Sequence, residues 1–244
     1  MVVAILQARM SSSRLPGKVL EPVLGVPMIM RQIERVLKSN QIDQLVVATS
    51  MDVSDVPLSE LLEKDSISVF RGELDNVLQR FIGAADLIGD NVIVRLTGDC
   101  PLVDSQVLDL VISEHLKFKA EYTSNTLKPT YPDGLDVEVF NVDLLHRIAD
   151  SDPTKKEIEH VTYGMYSREG FCIKHSVENE MDLSDLRWTV DIPEDLEFVR
   201  QVYSELYELN PNFITQDILQ LLKTRPELSR TNLNYQRNLA LLES

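Results

Sequence analysis

Four short runs of this chain, residues 2–6 (VVAIL), 44–49 (QLVVAT), 66–70 (SISVF) and 91–96 (NVIVRL), are dominated by apolar, often β-branched residues. Each is followed by a stretch whose apolar residues recur at helical spacing. Helices are expected over 27–37, with Ile29, Ile33, Val36 and Leu37 on one face, and over 54–64. Two more are expected over 75–87 (Val77, Leu78, Phe81, Ala84) and 104–117 (Val107, Leu108, Val111, Ile112). A strand without polar alternation is buried on both faces, and a helix between two such strands is a crossover. The chain therefore reads as an α/β fold with a largely parallel sheet covered on both sides.

The rhythm changes near residue 120. Strands are expected over 121–124, 135–140, 171–177 and 187–190, and helices over 142–149, 155–166, 193–209 and 215–224, with a polar tail over 225–244. No repeat and no Gly/Ser linker interrupts the 244 residues. The reading is one domain over 1–244. Residues 1–120 form its regular half, 121–210 a less regular half, and 211–244 a helical C-terminal tail.

Composition excludes several classes. The net charge is -15, opposite to that of a general nucleic-acid-binding surface. No apolar run is long enough to span a bilayer, and the opening run is too short for a signal-peptide core, so a cytoplasmic protein with no membrane partner is expected. Cys100 and Cys172 form no CxxC pair and are expected to stay unpaired. The charge is uneven, however. Residues 1–20 contain Arg9, Arg14 and Lys18 and no acid. A cationic loop in an acidic protein points to a small anionic ligand.

Five segments carry candidate chemistry. The first, 8–18 (ARMSSSRLPGK), leaves the first strand at the edge where open parallel sheets bind ligands. Its serines, glycine and cations suit phosphate oxygens, although its glycines match neither a Walker loop nor GxGxxG, and it would also read as a solvated basic loop. The second, 95–101 (RLTGDCP), puts Asp99 at the end of an apolar strand, a place for Mg²⁺ against a phosphate or for a turn cap. The third, 187–195 (RWTVDIPED), repeats that pattern with Asp191. There Asp195 is suited to close back on the helix start, leaving Asp191 for other work. Together the two strand-end aspartates would bracket one metal. The fourth, 70–77 (FRGELDNV), places Arg71 and Gly72 after a strand, suited to a base or a phosphate, or reads as helix capping by Asp75 with surface charges. The fifth, 130–138 (TYPDGLDVE), combines a turn signal at Asp133 with Asp136 and Glu138 at strand period, suited to sugar hydroxyls or to an exposed hairpin face. His160 is a further candidate. Trp188 is expected in the core.

With these segments in hand, the chain resembles the cytidylyltransferases that act on 3-deoxy-manno-octulosonate and acylneuraminate. The resemblance lies in ARMSSSRLPGK, LTGDCPL and VDIPEDLEFVR, in that order. FRGELDNVLQRF, YPDGLDVEVF, EHVTYGMY and RTNLNYQRN are most similar to the branch named for a spore-coat polysaccharide biosynthesis protein. The resemblance implies a three-layer α/β/α, nucleotide-diphosphosugar-transferase-like (Rossmann-like) fold and a homodimer. It implies that Arg9, Arg14 and Lys18 hold the CTP triphosphate, with Ala8, Ser12 and Ser13 beside the nucleotide and Arg71 and Gly72 near the base. Asp99 and Asp191 would bind Mg²⁺. Asp133, Asp136, Glu138 and His160 would meet an acidic or modified sugar acceptor. Cys100 stands where the octulosonate enzymes carry a glutamate. The expected reaction is transfer of CMP from CTP to a sugar hydroxyl with release of pyrophosphate, Arg14, Lys18, Asp99 and Asp191 being the catalytic set. A glycosyltransferase using a sugar nucleotide, or a non-catalytic nucleotide-binding module, are the alternatives.

Overall fold

The computed structural model describes residues 1–89 and 92–228. Strand β1 (Val2–Gln7) starts a seven-stranded sheet. A small hairpin of β2 (Pro22–Val23) and β3 (Val26–Pro27) precedes helix α1 (Met28–Val36). Then follow β4 (Gln44–Ser50), α2 (Val56–Lys64), β5 (Ser68–Gly72), α3 (Val77–Asp86), β6 (Val92–Thr97) and α4 (Ser105–Phe118). The second half contains β7 (Tyr122–Ser124), β8 (Glu138–Asn141), α5 (Asp143–Ala149), α6 (Lys155–Glu159), α7 (Tyr163–Ser167), β9 (Lys174–Ser176), α8 (Pro193–Leu206) and α9 (Thr215–Thr224). The sheet order is β5-β4-β1-β6-β8-β7-β9, with β8 antiparallel to both neighbours and the other ladders parallel.

Strand β1 shows why the apolar runs lack alternation. Val2, Ala4 and Leu6 enter the core on one face with α1, α2, α4, α8 and α9. Val3 and Ile5 enter the other with α3, α5 and α7. The result is three layers, as the sequence implies. After β1 the chain moves outward through β4 to β5, then returns to place β6 on the far side of β1. The strand order therefore reverses between β1 and β6, the place where open α/β sheets bind ligands. Gln7 pairs with Thr97 at this end, so the loops after β1 and β6 leave side by side. Gly98 makes that fit possible, because a Cβ there would lie 2.8 Å from the Ala8 Cβ and 3.0 Å from the Gln7 carbonyl oxygen.

Several boundaries differ from expectation. Asn76, not Asp75, caps α3 by accepting from the Gln79 N–H. The single helix expected over 155–166 breaks into α6 and α7 at Val161, a buried β-branched residue with φ 35°. The strand expected from 135 starts at Glu138, because the Asn125 side chain takes the Leu135 carbonyl and the Val137 N–H that a ladder would use. Residues 187–190 form no strand. A single parallel bridge, Asp133 to Arg187, holds them, with Trp188 N–H donating to the Asp133 carbonyl at 2.6 Å. Trp188 is in the core, as expected. The last helix before 210 ends at Leu206. Of the expected C-terminal tail, α9 is present, while 229–244, including RTNLNYQRN, lie outside the described residues.

The turn at Asp133-Gly134 presses directly on the 188–189 backbone. Gly134 has φ 108°, and a Cβ there would sit 2.5 Å from the Thr189 nitrogen. We expect Gly134→Ala to lower stability by more than about 2 kcal/mol, from a disfavoured φ plus a backbone clash. Urea unfolding measures this; a wild-type midpoint would show that the crossing relaxes freely.

Candidate active site

The β1 loop is built by its own backbone. The Met10 carbonyl accepts from the Ser12 and Gly17 N–H groups, both at 2.9 Å. The buried Asp55, at the start of α2, accepts from the Met10 N–H at 2.6 Å and from Ser50. That anchor turns Lys18 inward, where it is 8% exposed. Its ammonium donates to the Val190 carbonyl at 2.6 Å and to Asp191 Oδ1 at 3.0 Å, and lies 3.6 Å from Asp99 Oδ2. Lys18 thus joins the loops of β1 and β6 to the segment before α8. Burial pulls its pKa down, but Asp99 and Asp191 together hold it above the ordinary 10.5.

Each aspartate is oriented from behind. Asp99 Oδ1 accepts from the Thr97 hydroxyl at 2.6 Å and from the Cys100 thiol at 3.3 Å. Burial, then the charges of Asp99 and Asp136, push that thiol well above its usual range, so it is a protonated donor. Asp191 Oδ2 pairs with Arg14 at 3.1 Å and with Arg187 at 3.0 Å. Burial raises the Asp191 carboxyl, yet Lys18 and the arginines bring it below the ordinary 3.8. Arg187 is 6% exposed and also binds Asp133 and Asp195. As the capping argument requires, Asp195 closes back on the helix start, accepting from the Asp191 N–H at 2.9 Å and the Ile192 N–H at 3.3 Å.

Two cavities of about 470 and 290 Å³ meet at this cluster. Arg14, Arg95, Thr97, Asp99, His160 and Asp191 line both. The smaller adds Ala8, Arg9, Ser12, Ser13 and Lys18. The larger adds Cys100, Asp133, Asp136 and Glu138. The two cavities thus gather the candidate residues of four of the five segments. Arg71 and Gly72 line neither: the Arg71 guanidinium donates to the Ser50 and Asp52 carbonyls, and Gly72 packs on Arg80. Glu138 is not on an exposed face. It is buried, paired with Arg95, and accepts from the Tyr122 and Thr162 hydroxyls at 2.6 Å each. Burial, then Glu138, push the nearby Tyr166 phenol up to about 12, so it remains a donor.

Arg95, Arg187, Asp55, Thr97 and Thr162 were missed as site residues. One signal was available for Arg95: a charge inside an apolar strand must have a buried partner. Among the described residues no group of three or more His, Cys, Asp or Glu gathers to hold a metal alone. Asp99 and Asp191 both reach the Lys18 ammonium, and two such carboxylates would suit an ion that also takes phosphate oxygens. Both cysteines are free thiols, and among the described residues no helix is long and apolar enough to cross a membrane.

A family profile described as cytidylyltransferase matches residues 3–221. The chain belongs to the cytidylyltransferase family. It is 32% identical over 233 residues, 93% of this chain and 95% of the relative, to the spore coat polysaccharide biosynthesis protein SpsF of Bacillus subtilis. The 3-deoxy-manno-octulosonate cytidylyltransferase of Chlorobium phaeobacteroides is 26% identical over 251 residues, 84% of this chain and 97% of that one. A solved cytidylyltransferase from Leptospira borgpetersenii matches with TM-score 0.90 and 32% identity over 96% of this chain and 99% of that one. A CMP:2-keto-3-deoxy-manno-octonic acid synthetase solved with CTP matches at TM-score 0.62 and 16% identity, covering 84% and 98%, a likeness of fold. Membership makes this family member a nucleotidyltransferase.

The Arg187–Asp195 pair holds Asp191 in place without lining either cavity. We expect Asp195→Asn to cost about 3 kcal/mol, because a buried guanidinium loses a charged partner. Thermal unfolding measures this, and a wild-type melting temperature would remove Asp195 from the supporting role.

Proposed function

We propose that this family member transfers CMP from CTP to a sugar hydroxyl, releasing pyrophosphate, with Mg²⁺ bound alongside the triphosphate. The observation that carries this reading is the Lys18 ammonium set between Asp99 and Asp191 where the two cavities meet. In this reading the smaller cavity takes the triphosphate and the larger takes the acceptor.

The chain's own residues then have distinct work. Arg9, Ser12 and Ser13 bind phosphate oxygens from the β1 loop. Arg14 and Lys18 neutralise charge that grows on the leaving pyrophosphate. Asp99 and Asp191 would hold Mg²⁺, which supplies charge neutralisation on the phosphates and acidifies the attacking hydroxyl. That hydroxyl oxygen bonds to the α-phosphorus as the bond to the bridging oxygen breaks, and its proton passes to His160. His160 lines both cavities. Burial, aided by Arg95 and Lys156 and opposed by Glu159, lowers its pKa below the ordinary 6.5, so the imidazole is neutral and able to accept.

Calorimetry with CTP, UTP, ATP and GTP, each with and without Mg²⁺, tests the reading. Mg²⁺-dependent binding selective for CTP is expected. Binding of a sugar nucleotide but no triphosphate would favour a glycosyltransferase instead. Asp99→Asn and Asp191→Asn are each expected to cut pyrophosphate release at least ~100-fold, the scale of losing one key electrostatic group. Near-wild-type turnover in both would remove them from the metal site. His160 sets the acid limb: activity should persist below pH 6.5 and fall only as pH drops through the lowered value. In His160→Asn that limb should vanish along with most of the rate; an unchanged profile would assign the proton elsewhere.

A further inference from the structure

The two aspartates suited to an ion are already engaged. Lys18 lies 3.0 Å from Asp191 Oδ1 and 3.6 Å from Asp99 Oδ2. Asp191 Oδ2 takes Arg14 at 3.1 Å and Arg187 at 3.0 Å. Asp99 Oδ1 accepts from the Thr97 hydroxyl and the Cys100 thiol. Every oxygen of the two carboxylates thus has a protein partner, and Lys18 is the cation they share.

A divalent ion arriving alone brings nothing to exchange for that arrangement. If it takes the oxygens from Lys18, a buried ammonium is left on the Val190 carbonyl without its countercharges, and stranding a buried charge is costly. If Lys18 stays, two cations crowd the same carboxylates and repel. Among the described residues no third acid, histidine or cysteine joins the pair to compensate.

A triphosphate changes the balance. Lys18 and Arg14 line the smaller cavity beside Arg9, Ser12 and Ser13. Phosphate oxygens there give both cations new partners, and the flexible lysine stem can follow them. Asp99 and Asp191 are then released. The phosphates also supply the oxygens that a small divalent ion takes along with one or two carboxylates.

We propose that Lys18 keeps the Asp99–Asp191 pair closed to a free divalent ion, and that the ion enters only with a triphosphate, which draws the ammonium away. The inference rests on the transferase reading and adds to it an order of binding and the residue that enforces it. Such coupling is reciprocal: the triphosphate tightens the ion by the factor with which the ion tightens the triphosphate.

Mn²⁺ serves as the probe, since it takes the same oxygen ligands and electron paramagnetic resonance reads its binding directly. Wild type is titrated with Mn²⁺ alone and with the Mn²⁺–CTP complex. It is expected to bind the complex at least ~10-fold more tightly than the free ion, within the usual range of coupling between two ligands. Lys18→Met keeps the stem and removes the charge. It is expected to bind free Mn²⁺ at least ~10-fold more tightly than wild type, and Lys18→Met/Asp191→Asn should lose that gain. A Lys18→Met variant with no gain overturns the proposal, and so does a gain that survives the loss of Asp191. If Lys18→Met does not fold, the wild-type comparison decides alone. Free Mn²⁺ bound by wild type as tightly as Mn²⁺–CTP defeats this inference and leaves the transferase reading standing. No binding of Mn²⁺–CTP defeats that reading and this inference with it.

Discussion

The Lys18 ammonium is the interaction on which the site depends. It reaches Val190 and Asp191 from a loop more than 170 positions earlier in the chain and lies 3.6 Å from Asp99. A buried lysine with one partner would lose its charge cheaply. Two aspartates and a carbonyl keep it charged, and it in turn keeps two carboxylates from repelling each other at close range. The proposed transfer would use the same arrangement. A cation and two acids held in a protected place are the groups a phosphoryl-transfer site needs, and they are oriented before substrate arrives.

A second set of charges stands behind the first. Arg187 gathers Asp133, Asp191 and Asp195, and thereby links the turn at Gly134, the segment after Trp188 and the start of α8. Asp55 does the same for the β1 loop by holding the Met10 N–H. In both cases a buried charge is satisfied by backbone and side-chain partners from distant segments. Such a group stabilises only one relative placement of those segments, because any other placement strands it unpaired. The rigidity of the site comes from this requirement as well as from the two apolar cores.

Much of the fold was legible in the sequence. Wholly apolar strands separated by helix-period segments leave few alternatives to a covered, mainly parallel sheet, and the expected early strands and helices recur with boundaries shifted by a few residues. The failures have local causes. A side chain replaced a ladder at Asn125, and a left-handed residue broke a helix at Val161. Neither leaves a periodic signal. For the site, strand-end acids and a cationic loop singled out Arg14, Lys18, Asp99 and Asp191, which the structure brings together at one edge, because the ligand edges of such sheets are set by topology. Arg71 shows the limit: its position after a strand resembled theirs, but its guanidinium is used to hold the 50–52 backbone.

The sequence by itself determined the early strands and helices and placed Arg14, Lys18, Asp99 and Asp191 toward one edge of the sheet, since both follow from the order of apolar and polar residues along the chain. Only the tertiary structure decided how those charges pair. Glu138 became the partner of Arg95, Asp133 that of Arg187, and Lys18 the bridge between Asp99 and Asp191. Pairing depends on distances of a few ångströms between residues far apart in the chain. Coulomb energy in a buried place changes sharply over such distances, whereas residue order carries no record of them.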